Sequence, residues 1–255
     1  MPNYSQLPNI MVAPNGARRT QVDHSALPLS ISETVEAAIA CQKAGADGVH
    51  MHIRDAQDKH TLDVGKYSEA LREMETALPD FYVQITTEAV GQYSPQQQRE
   101  VVEKVMPKAV SISIAEMLSD GEDIKAKRFY SWCAQNEVSV QHIIYDTDDL
   151  ARIEKLSLLN DRAATQLLFV LGRYTKNQQS SPDDLDPFYN WATQQDAKID
   201  WAICAFGQGE TDCLLNAHKK GGKVRIGFEN SLWNRDGSIA KDNAERVSEF
   251  VSSLS

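Results

Sequence analysis

A (β/α)8 barrel is the fold this sequence predicts, and three observations predict it. Eight short β-rich runs recur along the chain, most of them about 25 to 35 residues apart. Between them apolar residues fall at three-to-four spacing, the period of a helix that buries one face. No Gly-x-Gly-x-x-Gly turn follows the first run and no phosphate-loop motif occurs, which disfavours an open doubly wound sheet. A single barrel domain over residues 1–255 is therefore expected, with no linker, low-complexity tract or short-period repeat to divide it.

The predicted strands are residues 10–13, 48–53, 81–87, 109–114, 138–145, 167–171, 199–206 and 224–228. The first helix opens on Ser30-Ile31-Ser32-Glu33. Ser30 can cap the third helical N–H while Glu33 reaches back to the Ser30 N–H. Val35, Ala38, Ile39 and Cys41 carry its buried face, and Gly45 falls where it should stop. Ser94-Pro95-Gln96-Gln97 opens a later helix with Ser94 as cap, Pro95 at the first position and Gln97 at the third. Ser181-Pro182-Asp183-Asp184 repeats that device, and Gly221-Gly222 closes the last helix before the eighth strand.

The 255 residues are 42% hydrophobic, enough for one substantial core. Net charge is −10, and no basic block or aromatic-basic interleaving occurs, which argues against nucleic acid and acidic membrane surfaces as partners. An anionic substrate would have to be held by local arginines. No apolar run approaches the ~20 residues a membrane helix needs. The start, Met1-Pro2-Asn3-Tyr4-Ser5, lacks the basic and apolar stretches of a signal peptide. Cys41, Cys133, Cys204 and Cys213 form no Cys-x-x-Cys pair and read as reduced core residues, so a cytoplasmic location is expected.

In a barrel of this kind chemistry sits at the C-terminal ends of the strands. The second strand ends in His50-Met51-His52, whose imidazoles share one face because side chains alternate along a strand. Arg225, Gly227 and Glu229 share a face of the eighth strand by the same rule. Only the first strand separates the second from the eighth, so Glu229 can reach across the mouth toward both histidines. Two imidazoles and a carboxylate leave ligand positions open, as catalytic zinc sites do, although manganese, cobalt and nickel suit the same donors. Other strand ends are polar too: Arg18-Arg19 follows the first, Thr86-Thr87-Glu88 ends the third, Glu116 follows the fourth, and His142 lies on the fifth.

Three segments carry a family resemblance. Val12-Ala13-Pro14-Asn15-Gly16-Ala17, the Ala44-Gly45-Ala46 turn leading to His50-x-His52-x-Arg54-Asp55, and Val224-Arg225-Ile226-Gly227-Phe228-Glu229-Asn230 resemble the β-keto acid cleavage enzymes. The resemblance implies a zinc-dependent (β/α)8 barrel, a homo-oligomer and by analogy a tetramer. It implies exchange of an acyl group between a β-keto acid and acetyl-CoA, giving acetoacetate and a new CoA thioester. On this resemblance His50, His52 and Glu229 match the zinc ligands, and Arg225 matches an arginine beside the catalytic base. Thr86 or Thr87 falls where the family has a hydroxyl near the substrate, and Arg18 near the first-loop position that selects the substrate's distal group.

One departure stands out. The eighth-strand motif of the family commonly continues Glu-Asp, the aspartate serving as base, whereas this chain has Asn230, which takes no proton near neutral pH. His142, Glu88 and Glu116 are the alternative bases, His142 first because an unperturbed imidazole titrates near pH ~6.5. Arg18 suits a distal carboxylate held by a two-pronged contact. The Gly172-Arg173-Tyr174-Thr175-Lys176 run could hold a CoA phosphate, while His24 and His60 read as solvated loop histidines. A metal-dependent hydrolase on the same barrel is the nearest rival, and it would call on His142 as a ligand. A non-catalytic metabolite-binding barrel that has lost its base is the other, with Asn230 as its support.

Overall fold

The computed structural model describes residues 4–159, 163–172 and 179–254. Its elements in chain order begin with β1 (Ile10–Val12), α1 (Ile31–Ala44), β2 (Gly48–Met51), β3 (Ile53–Arg54), β4 (His60–Thr61) and α2 (Val64–Ala77). Next come β5 (Tyr82–Thr86), α3 (Pro95–Val105), β6 (Ala109–Ser113), α4 (Ile114–Met117), α5 (Asp123–Gln135), β7 (Ser139–Ile144) and α6 (Thr147–Lys155). The chain continues through β8 (Thr165–Leu171), α7 (Asp186–Thr193), β9 (Ile199–Ala205), α8 (Glu210–Lys219), β10 (Lys223–Ile226) and α9 (Asn243–Ser252). Eight strands close a parallel barrel in the order β1-β10-β9-β8-β7-β6-β5-β2, so β1 lies between the histidine strand and β10.

All eight predicted strands are present with ends shifted by a residue or two, most of them shorter than expected, while β8 begins two residues earlier, at Thr165. The second run is split: its last residue, Ile53, starts β3, which pairs antiparallel with β4, Arg54 opposite His60. That hairpin has no period-two signature long enough to be read from sequence. Ser30 and Ser94 both form reciprocal capping boxes, each worth about 1 kcal/mol at the capping residue. Gly45 ends α1 at φ 110°, a left-handed conformation that glycine reaches without strain. The Ser181 device opens a single 3-10 turn, Pro182–Leu185, ahead of α7 rather than an α-helix directly.

Two apolar layers follow from strand alternation. Met11, Tyr82, Ile143, Leu168, Ala202 and Cys204 pack inside the barrel, and a larger cluster fills the space between strands and helices. Tyr4 closes the N-terminal end, its ring 4.7 Å from that of Tyr82 and its carbonyl accepting from Gln166 Nε2 at 3.0 Å. The four cysteines are buried and free. No helix among the described residues is long and apolar enough to cross a membrane.

Candidate active site

The C-terminal end of the barrel holds a cavity of about 460 Å³ whose walls include Arg18, His50, His52, Glu88, Arg225 and Glu229. Two loops set its floor. After β1, Asn15 is fully buried and clamps the main chain of His52: its Nδ2 donates to His52 O at 3.0 Å and its Oδ1 accepts from His52 N at 3.3 Å. Arg54 pins the same loop by donating to Asn15 O and Arg19 O at 3.4 and 3.0 Å, and to Gly16 O. After β10 the chain turns at Gly227, φ 137°, where a Cβ would stand 2.5 Å from Ala13 O. Gly16, φ 62°, lets the first loop pass beside Glu229, since a Cβ there would come within 2.7 Å of Glu229 Cγ.

These loops bring three donor atoms together. His50 Nε2 and His52 Nε2 are 3.3 Å apart, and each is 3.5 Å from Glu229 Oε2. Donors about 2.0–2.1 Å from a tetrahedral zinc stand roughly 3.3–3.4 Å from one another, so the triangle has the edge lengths of one face of such a site. Glu229 Oε2 is buried and makes no hydrogen bond among the described residues. Glu229 Oε1 instead accepts from Arg225 Nη2 at 3.1 Å. His50 Nδ1 donates to Gln84 Oε1 at 2.8 Å, and Gln84 Nε2 donates on to Gln141 Oε1 at 3.1 Å, which leaves the lone pair of His50 on Nε2. The residues present therefore fit a divalent metal.

Electrostatics agree with that use. Burial would raise the Glu229 carboxyl, but Arg225 and the two imidazoles hold it well below the ordinary carboxylate range, so it is ionised. Burial, with Arg225 adding to it, pushes His50 down to about 3, and burial beside His52 does the same to His60. Both rings are neutral near pH 7, and a metal ligand must be neutral imidazole.

The other sequence-selected residues divide. Thr86 lines the cavity, on the same face of β5 as Gln84, with its Oγ1 accepting from Glu88 N at 3.1 Å. Thr87 points the opposite way and donates to Ser111 O at 3.5 Å, so Thr86 is the hydroxyl at the mouth. Glu88 is half-buried on the cavity wall, its Oε2 3.9 Å from His52 Nδ1. Asn230 also lines it, and its Oδ1 makes no hydrogen bond among the described residues. Arg18 is exposed at the rim, whereas Arg19 turns inward and donates to Phe228 O and Asn230 O, tying the first loop to the last.

His142 is a correction. Gln141 reaches Gln84 inside the barrel, and Ile143 and Tyr145 line the cavity, so alternation puts His142 on the helix side of β7. Its ring lies 4.8 Å from that of Tyr130 in an edge-on contact, away from the mouth, and it serves neither as base nor as a hydrolase-type ligand. Glu116 is committed to structure: its Oε2 accepts from Ala89 N at 2.9 Å and Gln98 Nε2 at 3.0 Å. His24 and His60 are not solvated rings, since His24 Nε2 bonds Ala240 O at 2.8 Å and His60 is buried within 3.4 Å of His52. Residues 173–176 of the basic run lie outside the described residues. Gln84 and Tyr145 were absent from the sequence-derived site. Period two from Thr86 would have found Gln84, while nothing in the sequence marks Tyr145.

The fold and site together define a parallel barrel with a metal-type donor cluster at its catalytic end. Residues 9–255 match the beta-keto acid cleavage enzyme family, and the chain belongs to that family. It is 24% identical over 246 residues to the 3-keto-5-aminohexanoate cleavage enzyme of Fusobacterium nucleatum subsp. nucleatum, covering 92% of this chain and 87% of that one. It is 21% identical over 254 residues to the 3-oxoadipate:acetyl-CoA acetyltransferase of Cupriavidus necator, covering 95% and 86%. Among solved structures, ObcA in binary complex with oxaloacetate superposes at a TM-score of 0.66 with 14% identity. That match covers 90% of this chain, which spans 63% of the ObcA chain.

Proposed function

We propose that this chain is a metal-dependent β-keto acid cleavage enzyme that condenses a β-keto acid with acetyl-CoA and releases acetoacetate and a new acyl-CoA. The His50, His52 and Glu229 cluster beside Arg225 at the barrel mouth, in a chain of this family, carries the proposal. The names of the relatives support the same acetyl-CoA-dependent exchange. His50, His52 and Glu229 would hold the metal, zinc being the first choice, and when bound it supplies Lewis-acid polarisation of the substrate carbonyl.

The chain's own groups account for the rest. With Asn230 unable to take a proton and His142 outside the cavity, Glu88 is the carboxylate left to remove a proton from the carbon between the keto group and the carboxylate. That carbon forms a bond to the acetyl carbonyl of acetyl-CoA, and the CoA thiolate leaves. The thiolate then attacks the original keto carbon, the bond to the former acidic carbon breaks, and the proton returns to the acetoacetate fragment. Arg225, buried and fixed by Glu229, is placed to stabilise the oxyanions of these steps. Thr86 and the Asn230 amide are positioned to orient the substrate. Arg18 at the rim favours a β-keto dicarboxylate or another anionic acid. The family resemblance adds a homo-oligomeric, tetrameric assembly to the proposal, and the four free, buried cysteines add a cytoplasmic location.

Chelation tests the metal requirement. Dialysis against a chelator is expected to abolish acyl-CoA formation, and stoichiometric zinc is expected to restore it. Full turnover by protein shown to be metal-free would overturn that part of the proposal.

A further inference from the structure

The hairpin β3–β4 brings His60 back beside the site. Asp55 Oδ1 accepts from Gln57 N at 2.8 Å and Lys59 N at 3.0 Å, and Asp55 N donates to Lys59 O at 2.8 Å. Asp58 takes φ 59° at the tip, a conformation aspartate tolerates better than most residues. The chain therefore doubles back within six residues and sets His60 opposite Arg54. The His60 ring is 4% exposed, 5.0 Å from the His52 ring by centroid and edge-on to Tyr93 at 6.2 Å.

Its hydrogen bonds fix a direction. His60 Nε2 lies 2.9 Å from Glu88 O, a carbonyl that can only accept, so Nε2 carries the proton. In a neutral imidazole the other nitrogen is then an acceptor. His60 Nδ1 lies 3.4 Å from His52 Nδ1, so His52 donates from Nδ1 and keeps its lone pair on Nε2, the atom that faces His50 and Glu229.

We propose that His60 is a positioning residue that sets the tautomer and ring orientation of His52, with an imidazole in the place usually taken by a carboxylate or carbonyl behind a metal-bound histidine. The inference rests on the metal reading above. It also explains why the second strand is followed by a hairpin: the hairpin carries both Arg54, which pins the first loop, and His60, which orients the ligand.

Two isosteric half-replacements separate this role from packing. His60→Asn keeps an acceptor near Nδ1 and loses the donor to Glu88 O, whereas His60→Gln keeps a donor near Nε2 and loses the acceptor. Zinc affinity measured by chelator competition should stay within a few-fold of wild type in His60→Asn and fall about 10–100-fold in His60→Gln and His60→Leu. Nitrogen-15 imidazole spectra of metal-free protein should show the Nδ1–H form of His52 in wild type and His60→Asn, and a shift toward Nε2–H in the other two. Equal affinities across the series, or an unchanged His52 tautomer in His60→Leu, would overturn the inference. Failure of wild type to bind zinc would overturn the metal reading instead, and the tautomer spectra would still decide the role of His60.

Discussion

Asn230 shapes the chemistry at the scale of single residues. It is 1% exposed at the mouth, its amide oxygen makes no hydrogen bond among the described residues, and its side chain cannot accept a proton in the working range. Glu88 is the carboxylate on the same cavity wall whose side chain, among the described residues, neither holds a structural hydrogen bond, as that of Glu116 does, nor belongs to the donor triangle. Glu88→Gln is therefore expected to lower kcat by about 10²–10⁴ with zinc affinity unchanged, the usual worth of a positioned base. Asn230→Asp introduced into that variant should recover at least part of the loss, because it restores the carboxylate of the family pattern. Undiminished kcat in Glu88→Gln would remove Glu88 from the reaction. His50 and His52, two residues apart, and Arg225 and Glu229, four apart, were legible in the sequence because even spacings at a strand end put side chains on one face. His142 was misplaced because β7 is apolar on both faces near its end, so Gln141-His142-Ile143-Ile144 gives no alternation from which to read the inward side.

At the scale of elements, the loop after β10 is held from behind by α8 and α9. Asn243, the first residue of α9, donates to Pro14 O at 3.0 Å and accepts from Phe228 N at 2.9 Å, stitching the first and last loops together. One turn on, Arg246 is fully buried and donates to Glu210 Oε2 at 2.8 Å, Thr211 Oγ1 at 2.9 Å and Glu249 Oε2. Both members of the Arg246–Glu210 pair are at zero exposure, so removing one leaves an uncompensated buried charge. Arg246→Ala is expected to cost about 3–5 kcal/mol of unfolding free energy by denaturant titration. A change below about 1 kcal/mol would show that the pair is not what fixes these helices. This pair is invisible in the sequence, since its partners are 36 residues apart on neighbouring helices. The capping boxes at Ser30 and Ser94 were legible because their hydrogen bonds are local.

At the scale of the whole molecule, the strand-helix rhythm that predicts the barrel is the feature the structure bears out most fully, and it dictates that polar strand ends converge at one mouth. Buried neutral histidines give the folded chain an acid limit. Burial holds His142 at about 4 against an ordinary value of 6.5, so the unfolded chain binds a proton that the folded chain refuses. Stability from this group is complete above pH 6.5 and is lost as pH falls toward 4, by roughly 3 kcal/mol at 1.36 kcal/mol per unit. His142→Phe keeps a ring against Tyr130 and removes that proton. Its stability should fall less steeply than that of wild type between pH 7 and 4, and parallel curves would contradict the assignment.

The most direct measurement follows a label through the reaction. Zinc-loaded protein is supplied with acetyl-CoA carrying carbon-13 in both acetyl carbons, together with neutral, cationic and dicarboxylic β-keto acids, and the products are read by mass spectrometry. The account requires both labelled carbons in acetoacetate and none in the new acyl-CoA, with a dicarboxylic acid as the best substrate and that preference lost in Arg18→Ala. Cleavage of the acid without acetyl-CoA, or binding without any acyl-CoA product while zinc is stoichiometric, would contradict it.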